Sequence, residues 1–226
     1  VIIARRSHRG GVVPELDFRV ESADVLEFAA TPTLLFKLGI RNLAAEPIRS
    51  IALTTQIRIV PAQRAYSARE QERLVELFGE TARWGDTLKS LLWTHITTLV
   101  PPFNGSTVVE MPVPCTYDFE VVSAKYFHAL EGGEAPLELL FSGTVFYAGS
   151  AGLQAAQIPW TKEAQCRLPI ELWKRMMDRY FPNSAWVRVH RDIFDRLYRY
   201  RIREGLPTWE AALERLLLAA ERGGAQ

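Results

Sequence analysis

"IALTTQIRI", residues 51–59, sets Ile51, Leu53, Thr55, Ile57 and Ile59 against Thr54, Gln56 and Arg58. Successive side chains of a strand point to opposite faces, so a period of two predicts a strand with one buried and one wet face. Two upstream runs carry the same signature. Leu16, Phe18 and Val20 alternate with Asp17, Arg19 and Glu21, and Leu34, Phe36, Leu38 and Ile40 with Lys37 and Arg41. Three half-wet strands argue for antiparallel sheet whose dry face packs on a second layer. Further strands are predicted over residues 92–100, 106–113, 116–122, 137–147 and 152–158, with turn chemistry in "PPFNGS" and "EGGEAP" between them. This spacing predicts a mainly β fold, an immunoglobulin-like antiparallel β-sandwich over residues 15–160.

Helical patterns interrupt and follow the strands. Ser67-Ala68-Arg69-Glu70 has capping-box spacing, and Leu74, Leu77 and Phe78 continue as a stripe that stops at Gly79. This predicts a helical insertion over residues 66–90. After Trp160 the composition changes: Pro169 suits a first helical turn, and Leu172, Trp173, Met176, Met177 and Tyr180 recur at helical spacing until Pro182. A second helix is predicted over residues 190–204, ending at Gly205, and a third from Thr208 with Leu213, Leu216, Leu217 and Ala220 on one face. Residues 161–222 therefore read as a C-terminal three-helix subdomain, apolar enough to pack on the sandwich or on a partner. Residues 1–14 mix Arg, Gly and Val without period and read as a flexible arm.

Composition bounds the functional classes. A chain of 226 residues with 48% hydrophobic and 23% charged residues can bury one sizeable core. No run approaches the ~18 apolar residues of a membrane span. The opening "VIIARRSHRGG" lacks a signal-peptide stretch, so a cytoplasmic location is expected. Net charge is +1, with the basic excess in the C-terminal part, which falls short of the dense basic stripe of a nucleic-acid binder. No phosphate-binding loop or dinucleotide fingerprint occurs, and two distant cysteines make neither a metal knuckle nor a disulfide framework.

Two stretches carry candidate chemistry. "PCTYDFE", residues 114–120, gathers a thiol, a phenol and a carboxylate, with His128 shortly after. Read as a strand, it puts Cys115 and Tyr117 on one face and turns Asp118 away. A nucleophilic cysteine needs a nearby base or positive field, which the local spacing does not supply. Cys115, Tyr117, Asp118 and His128 are accordingly read as a polar cluster with a structural role. The rival reading is an enzyme or metal carrier centred on them. "WVRVHRDIFDRLYRYRIRE", residues 186–204, interleaves arginines with aromatics. Arg and aromatic side chains make protein-interface hot spots, so Arg196, Arg199 and Arg203 are candidate charges, and Trp173, Trp186 and Tyr198 candidate anchors, for a protein partner.

Together "PELDFRV", "TLLFKLGIRN", "QIRIVPAQRAYS", "ELFGETARW", "PCTYDFEV", "PLELLFSGTVFY", "IPW" and "YFPNSAW" resemble a bacterial family, a domain of unknown function found largely in actinobacteria. The resemblance covers about residues 14–215. It implies an association with nickel-iron hydrogenase gene clusters, and so an accessory role, but brings no catalytic or ligand-binding residues. The expected function is therefore a non-enzymatic accessory or scaffold protein, without cofactor, that binds another protein such as a hydrogenase component or its maturation intermediate. A holdase-like chaperone is the second non-enzymatic reading.

Overall fold

The computed structural model describes residues 13–118, 121–149, 152–184 and 187–223. The expected arm at 1–14 falls almost wholly outside them. The chain divides into two compact units, Val1–Trp186 and Val187–Gln226.

The first unit is built on two antiparallel sheets. One holds β1 (Leu16–Val25), β2 (Thr33–Asn42) and β5 (Ser106–Pro114) in the order β1-β2-β5. The other holds β3 (Ile48–Ile59), β4 (Leu91–Val100), β6 (Glu134–Gly149) and β7 (Gly152–Gln157) in the order β4-β3-β6-β7, and β8 (Glu163–Pro169) also pairs with β6. Compared with a constant-type immunoglobulin domain, where the first, second, fifth and fourth strands face the third, sixth and seventh, the fourth strand has crossed to pair with the third. The period of two explains the packing. Leu34, Phe36, Leu38 and Ile40 of β2 are buried, as are Ile51, Leu53, Thr55, Ile57 and Ile59 of β3. Phe18 of β1 stacks on Phe141 of β6 with ring centroids 4.2 Å apart, which joins the two sheets through one core.

β6 is the spine of the larger sheet. One edge pairs with β3 from Leu137 to Tyr147. The other pairs first with β8, up to Leu140, and then with β7, from Thr144. Gly143 lies where the partner changes. Its φ is +133°, and a Cβ there would lie 2.0 Å from the Ala52 carbonyl oxygen of β3. The Gly143 carbonyl accepts from the Ile158 N–H just past β7, and the Phe141 N–H donates to the Lys162 carbonyl just before β8. A glycine inside a strand marks such a bend and close approach.

The predicted insertion forms α1 (Ala68–Phe78) and the short α2 (Trp84–Thr87). Its capping box is present: Ser67 Oγ accepts from the Glu70 N–H, and Glu70 Oε2 from the Ser67 N–H. Gly79 ends the helix with φ +73°. Glu70 does more than cap. Its buried carboxylate also accepts from Arg64 Nη2 at 2.9 Å and from the Glu131 N–H at 2.8 Å, beside a Tyr66–Tyr126 hydroxyl pair at 2.8 Å. The entrance to α1 is thereby tied to the end of α3 (Val122–Ala129) and the start of β6.

Three expectations change. The strand expected over 116–122 is not seen in its described residues, 116–118 and 121–122: Asp118 N–H donates to Thr116 Oγ1, Val121 N–H donates to the Asp118 carbonyl, and α3 starts at Val122. The Thr side chain competes for the backbone and closes a turn. The C-terminal part is not all helix from 161, because residues 163–169 become β8, which buries Ala164 and Leu168. Finally α4 (Ile170–Tyr180) belongs to the first unit, where Ile170, Leu172, Trp173, Met176 and Met177 join its core. Only α5 (Arg191–Arg203) and α6 (Trp209–Gly223) lie in the second unit. Among the described residues no helix is long and apolar enough to cross a membrane.

Gly143→Ala is expected to lose more than about 3 kcal/mol through positive-φ strain and backbone overlap together. Gly132→Ala, where a Cβ meets nothing within 4 Å, is the matched control. Equal urea midpoints for the two variants would remove the constraint. Glu70→Gln should cost about 3 kcal/mol by leaving the Arg64 guanidinium buried against an uncharged group. Replacing both partners, as in Glu70→Leu with Arg64→Met, should recover much of that loss in the same urea titration; a double variant weaker than the single one would contradict this.

Candidate functional site

Three amphipathic helices of the first unit meet with their polar edges turned to one cleft. α1 buries Glu70, Leu74 and Phe78, which leaves Arg73 and Glu76, three residues apart, on its outer side. α3 buries Ser123, Ala124, Tyr126, Phe127 and Ala129, and therefore presents Lys125 and His128. α4 buries Trp173 and Met177 and presents Lys174 and Asp178 at a spacing of four. Tyr117, in the turn before α3, completes the lining of a space of about 460 Å³. That volume lies within the range of small-molecule sites, as does an apolar floor with a few convergent polar groups.

The aromatic wall is fixed by stacking. Tyr117 lies on Phe181 with centroids 5.5 Å apart and planes at 16°, meets the His128 ring edge-on at 6.2 Å, and lies 6.1 Å from Trp173. Burial raises the Tyr117 phenol above its ordinary value, and Asp178 adds to the shift. The phenol stays protonated at neutral pH.

Charge is distributed unevenly along the cleft. Lys125 and Glu76 form an ion pair and neutralise each other. Lys174 Nζ donates to the Glu131 carbonyl at 2.9 Å, a neutral acceptor, and among the described residues takes part in no ion pair. Among the described residues Arg73 takes part in no ion pair. His128 keeps an exposed edge, yet lost hydration holds its pKa below the ordinary imidazole value, and the positive charges of Arg73 and Lys174 lower it further.

The cluster expected from "PCTYDFE" is therefore half assembled. Tyr117 and His128 come together. Cys115 does not line the cleft: its Sγ donates to the Val113 carbonyl at 3.4 Å, and burial pushes the thiol up to about 12. Such a thiol supplies no thiolate at neutral pH. Asp118 lies in the turn and is likewise outside the lining. Cys166 is also pushed up to about 12 by burial. Among the described residues no three His, Cys, Asp or Glu side chains are grouped to hold a metal ion. Arg73, Lys125, Lys174 and Asp178 were not among the expected site residues. Their signal was a charge at the edge of an apolar stripe, which most surface helices share.

The partner-binding residues expected on the tail fall in different places. Trp173 is not a surface anchor, since it is buried in the first unit against Phe127 with centroids 5.4 Å apart. Its position in the apolar stripe of α4 is the reason. Trp186 lies outside the described residues. The other four lie on α5, which turns at Gly205 (φ +64°) and pairs with α6. Thr208 Oγ1 caps α6 by accepting from the Ala211 N–H. Trp209 holds the two helices together. It lies 5.1 Å from the Phe194 ring and 6.3 Å from Tyr198, with the Arg201 guanidinium 4.4 Å above its centroid. Arg196, Tyr198, Arg199 and Arg203 are exposed. Arg199 Nε donates to the Asp195 carbonyl, whereas Arg203 pairs with Glu204 and lies over Tyr200. The hairpin buries Ala212 fully and leaves Ile193, Phe194, Ile202, Leu213, Leu217 and Leu218 exposed.

Comparisons with known proteins bear on the family and the fold. None of the curated proteins matches the sequence. Among solved structures, the CARDB domain of a Pyrococcus furiosus protein, crystallised with di-metal ions, is 10% identical over 69% of this chain and 92% of that one, with a TM-score of 0.29. AggA, the major subunit of an aggregative adherence fimbria of Escherichia coli, is 12% identical over 72% of this chain and 99% of that one, with a TM-score of 0.27. A β-glucosidase from Kluyveromyces marxianus is 9% identical over 69% of this chain and 15% of that one, with a TM-score of 0.28. Likenesses of this size assign no ligand or activity. The sequence itself is more specific: a single family model spans residues 13–225, both units together, and the chain belongs to the family of unknown function DUF6084.

Proposed function

We propose that the protein is a non-enzymatic accessory that binds another protein through its α5–α6 hairpin. The observation that carries the reading is the apolar face this hairpin leaves in solvent. Ile202 and Leu217 are 59% and 64% exposed, and Phe194, Tyr198 and Leu213 are exposed beside them. Two helices of 13 and 15 residues are too short to be stable by propensity alone and take most of their stability from tertiary packing. Between α5 and α6 that packing centres on the Trp209 indole, against Phe194, Tyr198 and Arg201. A second helical or grooved surface would cover the remaining face, as in helix-in-groove recognition.

Charge favours one kind of occupant. α5 carries five arginines against two aspartates, and among the described residues Arg191, Arg196 and Arg199 take part in no ion pair. The matching surface is an apolar groove rimmed by Asp and Glu on a different protein. The hydrogenase component implied by the family resemblance is the candidate to try first. Binding of this kind needs no catalytic residue.

The test starts from the tagged full chain in its native cells, identifies a stoichiometric partner by mass spectrometry, and reconstitutes the pair from purified components. Arg196→Glu, Arg199→Glu and Arg203→Glu together should weaken binding about 100-fold, at about 1 kcal/mol per rim charge. Added salt should weaken the wild type but not the triple variant. Ile202→Asp with Leu217→Asp should abolish the complex. Unchanged affinity in both variants would refute the hairpin as the contact surface. Capture of many unfolded clients would replace this reading with a holdase, and capture of further copies of the chain alone would replace it with self-association.

A further inference from the structure

We infer that the cleft between α1, α3 and α4 is a binding site for a small monocarboxylate with a flat apolar body. Arg73 and Lys174 give it a positive field around the His128 ring, and Tyr117, Trp173 and Met177 give it an apolar wall and floor. The inference is independent of the hairpin, because every lining residue belongs to the first unit.

Three observations specify the ligand. The first is net charge. Lys125 and Glu76 form a pair, so among the described lining residues Arg73 and Lys174 stand against Asp178, and with His128 neutral those side chains sum to one positive charge. A monoanion balances it, whereas a dianion would also meet Asp178. The second is donor geometry. Arg73 offers a planar fork suited to a carboxylate, and Lys174 offers a point charge that, among the described residues, donates to the Glu131 carbonyl. Neither cation has to give up a carboxylate to receive a ligand. The third is shape. The Tyr117 ring, fixed by its stack on Phe181, favours a flat group over the buried Trp173 and Met177 side chains, which gains ring contact as well as area burial.

His128 reports occupancy. It faces Arg73 of α1 and Lys174 of α4 and lies edge-on to Tyr117, in a cleft that also holds Glu76, Lys125 and Asp178. Lost hydration and the positive charges of Arg73 and Lys174 disfavour its protonated form. An anion bound between the cations removes part of that field and raises the His128 pKa, and by linkage protonation of His128 tightens the anion. Affinity should therefore rise as pH falls through the His128 titration.

The experiment titrates the full chain with indole-3-acetate while the His128 ring is followed by NMR across pH. Indole-3-acetamide is the uncharged comparison, and inorganic phosphate the anion comparison. The expected result is saturable indole-3-acetate binding that displaces the His128 titration to higher pH, at least tenfold weaker binding of the amide and of phosphate, and a loss of about tenfold for each of Arg73→Gln and Lys174→Gln. Both positions lie at the helix surface, and unchanged urea midpoints would separate lost binding from lost folding. Equal binding of the amide, or wild-type affinity in the Arg73→Gln/Lys174→Gln double variant, would overturn the inference. So would a His128 titration unmoved by saturating indole-3-acetate.

Discussion

The Glu70 carboxylate is the constraint on which the functional end of the first unit depends. One buried anion accepts hydrogen bonds from Ser67, Arg64 and Glu131, residues that begin α1, precede it, and follow α3. A charge taken out of water is tolerated only when it is paired and its lone pairs are occupied, and those partners fix where α1 enters against α3. Arg64 extends the tie by donating to the carbonyls of Gly132 and Glu134. The aromatic contacts of Phe78 with Trp84 and Tyr126 then pack the helices that this node has brought together. Arg73 and His128 face a common cleft because Glu70, one turn before Arg73, has already fixed the helix that carries it.

β6 plays the corresponding part in the sheets. A strand of 16 residues is longer than the neighbours available to it. Two short strands share its outer edge, and the exchange between them falls at the glycine that also lets β3 approach. The result places β8 beside the first half of β6, so that α4, which begins directly after β8, starts at the same end of the sheet as the Glu131–Glu134 turn. Ile170 N–H donates to the Gly133 carbonyl there. Lys174, one turn further on, reaches the Glu131 carbonyl. The third wall of the cleft thus follows from strand pairing, as the first follows from a buried charge.

The first three strands were legible because burial on one face imposes a period of two, and β4 to β7 from apolar runs between turns, with bounds within a few residues of those observed. β8 was missed because "EAQCRLP" is short and leads at once into a strong helical stripe, so the stripe dominated its reading. The run 116–122 failed for the opposite reason: Tyr117 and Phe119 look like strand residues, but a Thr side chain can satisfy the backbone locally and so end a strand. At the cleft, Tyr117 and His128 were visible as chemical groups. Their neighbours were not, since periodicity tells which face of a helix is wet and not which three helices meet. Trp173 was misplaced by the same limit. An aromatic on an amphipathic helix reads alike whether its apolar face meets the parent core or a partner.

The two units differ in what they leave uncovered, and that difference bears on their roles. In the first, the large apolar side chains of α1, α3 and α4 are spent on the core, and what remains at the cleft is charge and ring faces. In the second, Arg201 stacks on Trp209 while its Nε is buried without an acceptor, so even the contact that joins the hairpin carries an unmet donor. A buried unsatisfied donor costs about 1–3 kcal/mol, a large charge against a helix pair with one fully buried side chain. The cation–π contact of Arg201 with Trp209 offsets part of that cost at the seam of the hairpin.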